Sequence, residues 1–246
     1  MERKKLNMDF SFKPKFQMPQ FDRSRFKFPR FDFSGIDWHR MPRLKIGNIV
    51  AKCPNIQGGM GIGISLSGLA SAVADQGGIG VIAANSIGML DPVYYAKNPD
   101  ANAIALTREI RKARQSTSGL IGVNIMVAMN DFDALLQVAI DEKVDMVFLG
   151  AGLPIKGIPV KALRSSNVKV VPIVSSARAA GLIFASWAKR YDDIPDAVVV
   201  EGPKAGGHLG FKEKEIDDPA FALECILPQV VSEVSAFEKN LPDRFP

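Results

Sequence analysis

The chain has 246 residues, 47% hydrophobic and 23% charged, with a formal net charge of +5, a length that suits one large domain with a sizeable core. No run approaches the ~18 apolar residues of a membrane-spanning helix, which excludes an integral helical membrane protein. Two cysteines, Cys53 and Cys225, exclude a disulfide-rich scaffold and a cysteine zinc site, and two histidines, His39 and His208, leave little room for a histidine-based metal cluster. The charged N-terminus has no apolar stretch behind it, so no secretory signal is expected and a reducing cytoplasm is the expected location.

Residues 1–45 read as an aromatic-basic arm. They hold twelve Lys/Arg against five Asp/Glu, a balance of +7, whereas residues 46–246 hold nineteen against twenty-one, a balance of −2. The basic pI of about 9.2 therefore comes from the arm, and a nucleic-acid partner is not expected from whole-chain charge. Eight of the fifteen phenylalanines lie between Phe10 and Phe33, in pieces such as FKPKF and FKFPRF, with Pro14, Pro19, Pro29 and Pro42 between and after them. Such spacing of proline predicts an irregular segment. Its composition suits contact with an anionic membrane surface or nucleic acid, but suits better a mobile extension or one that folds onto the body by inserting its phenylalanines.

From Ile46 short apolar runs alternate with helical stretches, the pattern of parallel strands joined by crossover helices. The strands are predicted at Asn55–Gln57, Gly80–Ala84, Gly122–Val127, Met146–Leu149, Val170–Val174 and Ala197–Glu201. Pro172 lacks an N–H to donate, which makes the fifth the weakest of the six. A helix begins near Ser67 and ends at Gly77 and Gly78. Another follows Asp131 as N-cap, with the stripe Phe132, Leu135, Leu136, Ala139 and Ile140. The last opens with Asp218 as N-cap and Pro219, and its stripe runs Leu223, Ile226, Leu227, Val230, Val231 and Val234, interrupted by Pro228. Six strand–helix units fit either an open doubly wound sheet or an eight-unit barrel lacking two units, and periodicity does not choose between them.

In parallel α/β folds ligands bind at the C-terminal ends of the strands. Two strand-end loops stand out there. Gln57-Gly58-Gly59-Met60-Gly61-Ile62-Gly63 is dense enough in glycine for backbone to approach a flat or phosphorylated ligand, or simply to turn tightly. Residues 201–211, EGPKAGGHLGF, place His208 beside Gly206 and Gly207, where an imidazole can exchange protons with a bound molecule. Asn124 can aim an amide at a ligand or be satisfied by backbone. Ser175 and Ser176 read as a helix N-cap, and Asp145 as structural. Gly78-Ile79-Gly80-Val81-Ile82-Ala83 spells a dinucleotide loop, but it opens a strand instead of joining a strand to a helix, and is rejected.

The segments PNIQGGMGIGISLSGLASAVADQGGIGVI, GVNIMVAMNDF and VVVEGPKAGGHLGF, in this order, resemble the nitronate monooxygenase family, also called 2-nitropropane dioxygenase-like, which includes flavin-dependent enoyl-acyl-carrier-protein reductases. The resemblance implies an α/β fold of (β/α)₈ TIM-barrel type, formed by residues 46–246, with FMN at the C-terminal ends of the strands. It implies Gly58, Gly59, Met60, Asn124, Glu201, Gly206 and Gly207 as cofactor contacts, His208 as the catalytic proton-transfer residue, and no metal. It also implies two further strand–helix units, with GGI-like and GT-like turns that grip the FMN phosphate. Residues 236–246 end the chain before either, so a barrel truncated after about six units is expected. The implied function is oxidation of a small nitronate or nitroalkane by O2. The alternatives are an NAD(P)H-dependent enoyl-thioester reductase and an inactive barrel, truncated or completed by a homo-oligomer or another chain.

Overall fold

The computed structural model describes residues 42–208 and 210–240. The aromatic-basic arm therefore lies outside the described residues except for 42–45. Of these, Leu44 and Lys45 belong to strand β1 (Leu44–Ile46), which pairs antiparallel with β2 (Ile49–Ala51). After helix α1 (Ser67–Asp75) come β3 (Ile79–Ala83), α2 (Pro92–Tyr95), α3 (Ala101–Ser116) and β4 (Leu120–Met126). The chain continues through α4 (Phe132–Asp141), β5 (Met146–Gly150), α5 (Val160–Ser165), β6 (Lys169–Val174), α6 (Ala177–Tyr191), β7 (Val199–Val200) and α7 (Leu223–Asn240).

Strands β3 to β7 form one parallel sheet in strictly sequential order. A doubly wound sheet reverses its order at a switch point, and this one does not. The alternation of strand side chains agrees. Ile82, Ile121, Val123, Ile125, Val147, Leu149, Val170 and Val174 pack into the core shared with the helices. Ile79, Val81, Met146, Phe148 and Val171 face the other way, into a separate cluster closed by Ile46 and Ala51 of the β1–β2 hairpin. Helices on one face and a plugged interior on the other make this a barrel-type α/β sheet. The glycine pair in the rejected dinucleotide motif has a packing reason, since a Cβ on Gly80 would lie 1.9 Å from the Ala70 carbonyl oxygen of α1.

Three sequence expectations need correction. The segment predicted as a first strand, Asn55–Gln57, makes one isolated bridge, Ile56 to Ile79, because the backbone leaves the sheet at Gln57. Asp131 does sit at the start of α4, and the five stripe residues are all buried, but its side chain caps nothing. Its Oδ2 instead accepts a 2.6 Å hydrogen bond from Asn102 Nδ2. Asp218 accepts from Ala220 N at 2.9 Å, yet Pro219–Phe221 is a separate 3₁₀ turn and α7 starts at Leu223. In α7, Ile226 and Val230 are buried while Leu223, Leu227 and Val231 are exposed, so the stripe is wider than the face α7 buries. Pro172 is tolerated in β6 because its missing N–H shares the side of Val170 and Val174, whose carbonyls accept from Asp196 N and Glu201 N. That side meets β7, where the ladder is two residues long.

The N-terminal strand ends carry a repeated clamp. Asp145, ahead of β5, accepts from Ile121 N of β4 at 2.7 Å and from Arg114 at 3.0 Å. Asp196, ahead of β7, accepts from Val170 N of β6 at 2.8 Å and pairs with Arg164, which also holds Asp193 through two bonds of 3.0 and 3.1 Å. Helix α1 is capped from a distance. The buried Glu109 of α3 accepts from Ser67 N at 3.2 Å and Ser67 Oγ at 2.6 Å, and pairs with Lys112 at 3.0 Å. Burial alone would raise its pKa, but the bonds from Ser67 and Lys112 prevail and hold it below the ordinary carboxylate value. A depressed carboxylate pKa stabilises the fold above the ordinary range, and that contribution disappears as pH falls through the folded value. Glu109→Gln should cost about 2 kcal/mol near pH 7 and flatten the acid limb of stability, measured by urea unfolding between pH 3 and 7.

Candidate functional site

At the C-terminal end of the sheet the chain leaves β3's edge and becomes the glycine loop, and Gln57 explains how. Its backbone N–H still donates to Ile79 O at 3.0 Å. Its side-chain amide then replaces the next strand residue, with Nε2 donating to Val81 O at 2.9 Å and Oε1 accepting from Val81 N at 3.4 Å. Ser65, fully buried, ties the loop down. Its Oγ accepts from Gln57 Nε2 and from Met60 N, both at 2.9 Å, and donates to Gly58 O at 3.1 Å. Its backbone donates to Met60 O at 2.9 Å and accepts from Ala83 N at 3.0 Å. The sequence reading gave no role to Ser65 or to the Gln57 side chain. A lone serine between Ile64 and Leu66, ahead of an apolar helix, was the available signal.

The structure brings Gly59 and Asn124 together. Asn124 lies on the interior face of β4, in register with Ala83 and Phe148, and its amide makes no hydrogen bond with a described residue. A Cβ on Gly59 would stand 2.4 Å from the Asn124 Cβ, whereas one on Gly58 meets nothing within 4 Å. Glycine is thus required at Gly59 by contact and leaves open space at Gly58. The Met60 side chain is exposed. Asn85, just past β3, accepts from Met126 N at 3.0 Å, while its Nδ2 is buried without a partner.

The second loop follows β7. Glu201 stands two residues beyond Val199, and its N–H donates to Val174 O at 2.8 Å. Burial raises its carboxyl pKa above the ordinary value, with partial offset from the Gly210 N–H. Ser175 Oγ donates to Gly210 O at 3.5 Å, and Ser176 caps α6 through Ala179 N at 3.2 Å. Gly206, Gly207 and His208 are exposed, and a Cβ on either glycine meets nothing within 4 Å. Gly207 has φ +90°, a conformation that favours glycine. His208 makes no hydrogen bond or ion pair with a described residue, and none joins its loop to the Gly58–Met60 loop. Between the two, α6 orders the loop after β5, since Trp187 donates to Pro154 O at 2.7 Å and Ser186 to Ile155 O at 2.6 Å. Among the described residues no cluster of His, Cys, Asp and Glu could hold a metal ion. No helix there is long and apolar enough to cross a membrane.

A family model described as nitronate monooxygenase matches residues 43–133 and 121–242, covering both loops. The chain belongs to the nitronate monooxygenase family. Among solved structures it is similar to FabK from Thermotoga maritima, at 30% identity and TM-score 0.55 over 72% of this chain and 47% of that one. It is also similar in fold to nitroalkane oxidase from Streptomyces ansochromogenes, at 23% identity and TM-score 0.57 over 72% of this chain and 55% of that one. The chain spans about half the length of these structures. No curated protein matches it.

The contrast between the two family glycines gives a test. Gly59→Ala should cost about 1–3 kcal/mol by overpacking against Asn124, and adding Asn124→Gly should recover part of that loss. Gly58→Ala should stay within about 0.5 kcal/mol of wild type. Denaturant midpoints of the three variants check both statements.

Proposed function

We propose that this chain provides the flavin-ring site of an FMN-dependent oxidoreductase that oxidises a nitronate or nitroalkane with O2. The observation that carries this reading is the family match across both loops, with Gly59 seated directly on Asn124. The residues present suit a flat ring. Among the described residues, Gly58, Gly206 and Gly207 open onto unfilled space, the Asn124 amide has no partner, and Asn85 leaves a buried donor unpartnered beside the loop.

FMN, when bound, supplies electron transfer and the reaction with O2. Gly58, Gly59 and Met60 would hold the ring, and the Asn124 amide would hydrogen-bond to it. Gly206 and Gly207 would leave the loop after β7 free of side chains beside the ring. Burial holds the Glu201 carboxyl pKa above its ordinary value, which places an acid of raised pKa beside this loop. His208 accepts the proton of the carbon that bears the nitro group. The C–H electron pair moves into the C=N bond of the nitronate, and the imidazolium returns its proton to water. Exposure of His208 suits that exchange.

The alternative is an NAD(P)H-dependent enoyl-thioester reductase, since the family that the two loops resemble includes such reductases. Oxygen consumption with alkyl nitronates, against NAD(P)H oxidation with an enoyl thioester, separates the two. His208→Ala should lower nitronate turnover at least a hundredfold while leaving flavin content unchanged. Full turnover in that variant removes His208 from the mechanism.

A further inference from the structure

The hydrogen bonds around Ser65 leave a specific set of backbone groups unused. The hydroxyl is saturated, since its one proton goes to Gly58 O and its lone pairs take Gln57 Nε2 and Met60 N. The Gln57 amide is engaged at Ser65 and at both backbone groups of Val81. Met60 O is taken by Ser65 N. The N–H groups of Gly58 and Gly59 then remain without a partner among the described residues, in an exposed loop whose flanking carbonyl, Gly58 O, is already satisfied.

We propose that Ser65 and Gln57 are positioning residues that pre-form the Gly58–Met60 shelf before any ligand arrives and set its polarity. The shelf offers the amide donors of Gly58 and Gly59 to a heteroaromatic edge rich in hydrogen-bond acceptors. This rests on the flavin reading and adds the residues that prepare the site without touching its ligand. Ser65 is fully buried, so it acts through the backbone it holds. A shelf fixed in advance has no ordering to undergo on binding, which is how preorganisation raises affinity.

The test uses the full chain as wild type, Ser65→Ala, Ser65→Thr and Gln57→Met. The probes are FMN and lumiflavin, the latter being the ring without its ribityl phosphate. Amide exchange is read without ligand, and affinity and bound-flavin absorption with it. Ser65→Ala should speed exchange at the Met60 amide at least tenfold. It should weaken lumiflavin about five- to tenfold and shift the bound-flavin bands. Ser65→Thr, which keeps the hydroxyl, should restore exchange, affinity and spectrum together. Unchanged lumiflavin affinity and spectrum in a folded Ser65→Ala protein would overturn the proposal. Should Ser65→Ala not fold, Gln57→Met takes its place, with about two- to fivefold weakening expected and no change overturning it. A wild-type chain that binds neither probe overturns the flavin reading and the polarity of the shelf with it. Met60 exchange, slow in that chain and fast in Ser65→Ala, then decides the pre-formed shelf on its own.

Discussion

The two-point pairing of the Gln57 amide with Val81 is the interaction on which the mouth of this fold depends. A strand leaving a parallel sheet strands the donors and acceptors of its neighbour, and buried backbone groups without partners are costly. Gln57 satisfies Val81 from a side chain, which frees the backbone to turn away one residue after its last ladder bond. The glycine loop begins there, Ser65 fastens it, and Gly59 comes to rest against Asn124 of β4. The site is thus built where the first crossover starts, by replacing main-chain pairing with side-chain pairing.

The two ends of the sheet divide the labour. At the N-terminal ends, Asp145 with Arg114 and Asp196 with Arg164 bind strand to strand, and the hairpin of β1 and β2 fills the interior with Ile46 and Ala51. These groups are engaged with one another and have little left for a ligand. At the C-terminal ends, the Asn124 side-chain amide, Asn85 Nδ2 and the N–H groups of Gly58 and Gly59 have no partner among the described residues. Conservative chemistry on one side and unspent hydrogen-bonding capacity on the other is the arrangement expected of parallel α/β sheets that bind at strand ends.

Much of this was legible in the chain itself. The buried stripe of α4 follows from its spacing, Gly77 and Ser176 mark helix ends they do occupy, and the second glycine loop follows β7 as read, whereas the first follows only an isolated bridge. The remainder depends on contacts far apart in sequence. Asp131 looks like an N-cap, but Asn102, 29 residues away, claims its carboxylate. Helix α1 shows no capping side chain of its own because Glu109 supplies one across 42 residues. Asn55–Gln57 stands ahead of the glycine loop, where a first strand is expected, and nothing local reveals that a glutamine side chain ends it. Strand order, which periodicity left undecided between an open sheet and a barrel, is likewise a property of pairing alone.

Reconstitution tests most directly the proposed flavin site at the Gly58–Met60 shelf and Asn124. The full chain is incubated with FMN, freed of excess, and its visible spectrum and flavin-to-protein ratio are measured. A ratio near one, with flavin bands displaced from those of free FMN, is the predicted result. A colourless, folded protein that retains no flavin would contradict it.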